Sequence, residues 1–171
     1  MNIYKGKRLC IEKKMVSLPT GGSVERIVVH PGDAVAILPI RGDSGVYLVR
    51  QYRYAIDQYI YEVPAGTLNP GEDPLDTARR ELIEETGFQA ETFIPRGFIY
   101  TTPGFTDEKI HLFEAHTLTP SCEYQKDEDE IIEVQKVEQN ELFGMIADGR
   151  ICDAKTICLS LIHISEPTRP Y

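Results

Sequence analysis

No run of apolar residues in this chain approaches the roughly 20 that a membrane-spanning helix needs. Positive charge is also in short supply. Lys and Arg total 18 against 27 Asp and Glu, a net charge of −9. That balance argues against nonspecific binding to nucleic acid. Cysteine is sparse and dispersed: Cys10, Cys122, Cys152 and Cys158 form no CxxC pair. They read as reduced thiols of a cytoplasmic protein. His111 and His116 lack a zinc-type partner set, and no D-x-D-x-D-G loop exists to hold calcium. The N-terminus is basic (Lys5, Lys7, Arg8, Lys13, Lys14) but lacks the apolar run of a signal peptide, which agrees with a cytoplasmic location. Internal repeats and an interdomain linker are missing too. With 171 residues, 42% of them hydrophobic, the chain is long enough for one domain with a sizeable core.

Strand-like segments dominate what is present. Residues 8 to 18 and 23 to 30 predict a hairpin around Pro19-Thr20-Gly21-Gly22. AVAILPI (34 to 40) and GVYLVRQYR (45 to 53) predict buried strands around Arg41-Gly42-Asp43-Ser44, and IYEV (60 to 63) a short strand entering Pro64-Ala65-Gly66. Residues 91 to 100, 109 to 118 and 131 to 137 predict three more, with a polar, acidic loop over 120 to 130. Helices are expected over 139 to 147 and from about Asp153. Many strands with few helices indicate an α+β fold.

Chemistry concentrates in GTLNPGEDPLDTARRELIEETGF, residues 66 to 88. Gly66 and Gly71 flank turn chemistry at Asn69-Pro70. Asp73 can cap a helix, Pro74 suits its first turn and Gly87 its end. Leu75, Ala78 and Leu82 recur at i, i+3, i+7 and predict the buried stripe. Glu81, Glu84 and Glu85 share another face. Carboxylates this close repel one another, and a purely solvated helix gains more from alternating signs. An acidic solvated face with Arg80 pairing Glu84 at i, i+4 is the ordinary alternative. Hard cations that take oxygen ligands and bridge to phosphates explain the clustering directly.

Gly66, Glu72, Arg80, Glu81, Glu84, Glu85 and Gly87, with apolar Leu82 and Phe88, complete the pattern G-x5-E-x7-R-E-U-x-E-E-x-G-U, where U is bulky and apolar. This resembles the box of the Nudix hydrolases. At about 7% usage per residue type, seven fixed positions match by chance on the order of 10⁻⁶ over such a chain. The resemblance implies an α/β/α sandwich with a mixed sheet and a loop–helix–loop catalytic box, preceded by an N-terminal β-hairpin. It spans roughly residues 8 to 159, within a single domain over 1 to 159. It also implies Mg²⁺, with Mn²⁺ able to substitute, and cleavage of a nucleoside diphosphate linked to another group.

QYRYAIDQYIYEVPAG (51 to 66), Pro103 sixteen residues after Gly87, TTPGFTDEKIHLF (101 to 113) and DAKT (153 to 156) resemble the ADP-ribose pyrophosphatase subfamily. That likeness implies roles for named residues. The Ala65 carbonyl, Glu81 and Glu85 hold metal, and Glu84 helps orient a second ion. In the acidic run Asp127-Glu128-Asp129-Glu130, Glu130 is the metal ligand and Glu128 the general base. Arg53 contacts the pyrophosphate or ribose. Arg26 is a contact from a partner subunit, and Glu108 binds the terminal ribose. Tyr4, Tyr52, Tyr54 and Phe105 are candidates for an aromatic wall against adenine. Gly66, Glu72, Arg80 and Gly87 are structural, with Arg80 orienting a carboxylate. A homodimer built through the N-terminal strands is implied as well. Competing readings are a Nudix hydrolase of a nucleotide sugar, NADH or a dinucleoside polyphosphate, and a non-catalytic nucleotide-sensing module. Residues 160 to 171 (SLIHISEPTRPY), interrupted by Pro167 and Pro170, are atypical and read as a tail foreign to the domain.

Overall fold

A computed structural model describes residues 1 to 6, 8 to 42, 45 to 122 and 132 to 165. Strand β4 (Ala34–Arg41) organises the fold. From Ala34 to Ile40 its residues are apolar in unbroken succession, the pattern of a strand covered on both faces. Alternation sends Val35 and Ile37 to one side and Ala36, Leu38 and Ile40 to the other. Each set builds its own core.

On the first side, Ala78 and Leu82 of α1 (Pro74–Thr86) pack on Val35, Ile37, Phe113 and Ala115, with Leu75 partly buried at the margin. On the other, Leu142 and Met145 of α2 (Gln139–Ala147) and Leu159 of α3 (Ala154–Ser165) pack on Leu38, Leu48 and Leu112. Truncating a fully buried leucine in either core, such as Leu82 or Leu142, would cost about 2–5 kcal/mol.

The main sheet has seven strands. Along its path β10 (Ile132–Glu138), β5 (Gly45–Arg53), β4, β9 (Lys109–Pro120) and β8 (Phe88–Tyr100) lie side by side. β6 (Gln58–Glu62) pairs with β5, and β7 (Ala65–Thr67) with β4. The β4–β9 pair is parallel and the others are antiparallel, so the sheet is mixed.

A separate three-stranded sheet holds β1 (Asn2–Lys5), β2 (Cys10–Ser17) and β3 (Ser23–His30). The expected hairpin is present as β2–β3, and β1 extends it. The Val29 N–H donates to the Phe105 carbonyl at 2.8 Å, tying β3 to the 101–108 loop. Two strands were not expected, β1 and β7. Both are too short to carry an alternating pattern.

At the C-terminal end, α3 continues through Ser165, beyond the point where the atypical tail begins in the sequence reading. Ser160 is buried, and Ile162 and Ile164 pack against the α2/α3 core. Helix therefore occupies the first half of that segment. Residues 166 to 171 lie outside the described residues.

Candidate active site

The box folds as its local chemistry requires. Asp73 caps α1, its carboxylate accepting from the Leu75 N–H at 2.8 Å, and Pro74 opens the helix. Gly87 closes it at φ 75°, in the left-handed region, and donates its N–H to the Ile83 carbonyl. Gly66 meets a different demand. A Cβ there would lie 1.9 Å from the Glu81 carboxyl carbon, so any larger residue would push the Glu81 carboxylate out of its place.

Arg80 gathers that acidic face. Its Nη1 donates to Glu81 at 2.6 Å and to Glu84 at 2.9 Å. Its Nε and Nη2 donate to the two oxygens of Glu72, each at 3.2 Å. Burial works against the guanidinium charge, but Glu72, Glu81 and Glu84 outweigh it and raise the Arg80 pKa. The Arg80 hydrogen bonds, helped by the Asn69 N–H, hold Glu72 down to about 2. Glu85 points inward, only 7% exposed, and accepts from the Ala65 N–H at 3.1 Å.

These groups form one wall of a cleft of about 640 Å³, ordinary for a small-molecule site. Ala65, Gly66, Arg80, Glu81, Glu84 and Glu85 all line it. Arg53 lines it too, already engaged: its Nε and Nη2 donate to the two oxygens of Glu62 at 2.5 and 2.7 Å. Glu62 is deeply buried and also accepts from Lys155 of α3. Burial opposes its ionisation, but Arg53 and Lys155 win and keep its pKa lowered.

Several sequence candidates fall elsewhere. Arg26 sits on β3 opposite Lys14 and donates to the Glu25 carbonyl, outside this cleft. Glu108 accepts from the Thr101 hydroxyl at 2.7 Å, and Phe105 lies on the same loop, its ring half exposed. Neither lines the cleft of its own chain. The expected aromatic wall is absent from this cleft among the described residues, since no Phe or Tyr lines it. Tyr52 alternates away from the Gln51 and Arg53 face and packs at a tilt against Tyr59. Tyr4 and Tyr54 are exposed outside it. Glu128 and Glu130 lie outside the described residues.

Among the lining residues given no site role from the sequence are Lys5, at the end of β1, Arg8, in the β1–β2 connection, and Gln51. The basic N-terminus was visible as composition, but its position over the cleft is a tertiary fact.

The donor chemistry fits a hard divalent cation. Three carboxylates, Glu81, Glu84 and Glu85, line the cleft beside the Arg80 guanidinium, which Glu72 pairs from outside the lining. No three metal-ligating side chains converge on one point among the described residues. The Arg80 Nη1, placed between Glu81 and Glu84, holds two of the three carboxylates that would have to turn.

Comparison with known proteins agrees with this geometry. The NUDIX domain family model matches residues 30–159. The ADP-ribose pyrophosphatase of Bacillus subtilis (strain 168) is 40% identical over 156 residues, covering 90% of this chain and 84% of that protein. The methanol dehydrogenase activator of Bacillus methanolicus is 40% identical over 157 residues, covering 91% and 84%. A crystal structure of an ADP compounds hydrolase superposes with a TM-score of 0.84 at 22% identity, covering 96% of this chain and 89% of that one. Fold, box and site wall thus converge, and the chain belongs to the Nudix family.

Proposed function

We propose that this protein hydrolyses the pyrophosphate bond of ADP-ribose, giving AMP and ribose 5-phosphate, in a Mg²⁺-dependent reaction. The observation that carries the reading is the cleft itself, with the box carboxylates on one wall and Lys5, Arg8 and Arg53 also lining it. An acidic wall alone would repel a diphosphate. The likeness to an ADP-ribose pyrophosphatase over 90% of the chain supports the substrate.

Bound Mg²⁺ would supply polarised phosphoryl oxygens and a water of lowered pKa. Glu81, Glu85 and the Ala65 carbonyl are the groups proposed to hold it, with Glu84 assisting and Mn²⁺ as a substitute. Lys5 and Arg8 draw the diphosphate to the mouth of the cleft, and Arg53, oriented by Glu62 through Nε and Nη2, meets its oxygens with its remaining N–H groups. Glu128 accepts the proton of the attacking water, and Glu130 adds a carboxylate to the metal set. The water oxygen bonds to one phosphorus as the bridging P–O bond breaks, and the bridging oxygen leaves with the other phosphate.

The dimer belongs to the same proposal. Met15 and Ile27 share one face of the three-stranded sheet by strand alternation, and both are exposed. Four free cysteines suit a reducing, cytoplasmic setting. A substrate panel of ADP-ribose, ADP-glucose, NADH and diadenosine polyphosphate, assayed with and without Mg²⁺, tests the reading. Preference for another member of the panel would keep the reaction and replace the substrate. Inactivity throughout would favour a nucleotide-sensing role.

A further inference from the structure

Gln51 lies in β5 between Ile132 of β10 and Ile60 of β6. Only 7% of it is exposed, yet it lines the cleft beside Arg53, Ala65 and Glu85. Among the described residues its Oε1 has no hydrogen-bond donor. Among its neighbours along the cleft, Arg53 directs Nε and Nη2 to Glu62, and the Ala65 N–H donates to Glu85. A buried amide oxygen left unpaired opposes folding, and methionine would fill the same volume without that penalty. Such local conflicts concentrate where a ligand supplies the missing partner.

We infer that Gln51 is a substrate-recognition residue whose Oε1 accepts a hydrogen bond from a ribose hydroxyl of the bound substrate. This rests on the pyrophosphohydrolase reading above. The ligand group follows from chemistry. Diphosphate oxygens carry no proton at neutral pH and cannot donate to a carbonyl. Gln51 sits beside the residues proposed to hold the diphosphate, and in ADP-ribose both groups attached to the diphosphate are riboses. Adenine, the other donor, is one sugar further away.

The test compares wild type with Q51M, using ADP-ribose and analogues each lacking one ribose hydroxyl. Relieved of the unpaired oxygen, Q51M should melt about 2–4 °C higher. Its kcat/KM for ADP-ribose should fall about tenfold or more. Wild type should disfavour one deoxy analogue by a similar factor, and Q51M should treat that analogue and ADP-ribose alike. Unchanged kcat/KM with the same discrimination in Q51M would overturn the proposal. So would a lower melting temperature, which would mean that the amide is partnered within the protein. A wild type inactive on ADP-ribose but active elsewhere on the panel would refute the substrate and not the role of Gln51, which the deoxy series of the true substrate would then decide. A wild type that hydrolyses nothing would refute the functional reading. The thermal shift caused by ADP-ribose then decides alone, equal shifts in wild type and Q51M refuting the role of Gln51.

Discussion

One methyl group decides what can stand at position 66. A Cβ there would fall 1.9 Å from the Glu81 carboxyl carbon, and Glu81 is itself mostly buried and held by Arg80. Gly66→Ala must therefore displace Glu81. A misplacement on that scale costs on the order of 10²-fold in rate. Steady-state kcat on ADP-ribose should drop by about that factor while circular dichroism stays unchanged; near-native kcat would show that Glu81 is not needed where it lies. Glu72 carries a second consequence. Its folded pKa near 2 lies below the ordinary 4.5, so it stabilises the fold fully above about pH 4.5 and loses that contribution as pH falls towards 2. The melting-temperature gap between wild type and Glu72→Gln should accordingly be constant above pH 5 and shrink on acidification. A gap that widened on acidification would contradict the pairing with Arg80.

At the scale of elements, the junction between β5, β6 and α3 is the part least expected from sequence. Glu62, Arg53, Lys155 and Asp153 come from three elements and form one ion-pair chain at the back of the cleft. The Glu62 side chain is 2% exposed. Removing one member of such a buried set leaves uncompensated charge and costs about 3 kcal/mol or more. Glu62→Gln should show that loss in urea unfolding and should also raise KM, because Arg53 loses its orientation. A loss under about 1 kcal/mol would mean that the network behaves as a surface pair.

Legibility followed the same scale. β4, β5, α1 and α2 were readable because continuous apolar runs, caps and 3.6-residue spacing are local signals. The box wall was readable because its carboxylates sit within one helix. β7 hid within three residues, Ala65 to Thr67, since its pairing with β4 is a long-range contact. Lys5 and Arg8 had no local signature, because packing alone brings them to the cleft, and Gln51, though part of the QYR segment, carried no sign of its burial there. Arg53 was singled out as a ligand contact, but its carboxylate partner on β6 appears only once β5 and β6 are paired.

For the whole molecule, two cores lie on either side of one mixed sheet. The three-stranded sheet stands apart, with Ile3, Met15 and Ile27 exposed. The proposed dimer would remove those side chains from water. Light scattering should give twice the chain mass for wild type and one chain mass for a Met15→Glu/Ile27→Glu variant. A monomeric wild type would reject the dimer and leave the cleft to a single chain.

The central claim is that the α1 carboxylates run a metal-dependent cleavage of ADP-ribose. Its most direct test is AMP release from ADP-ribose, with and without Mg²⁺, by wild type and by Glu85→Gln. The account predicts AMP and ribose 5-phosphate in equal amounts from wild type with Mg²⁺, none without it, and loss of most of kcat in Glu85→Gln. Metal-independent release, or turnover undiminished in Glu85→Gln, would contradict it.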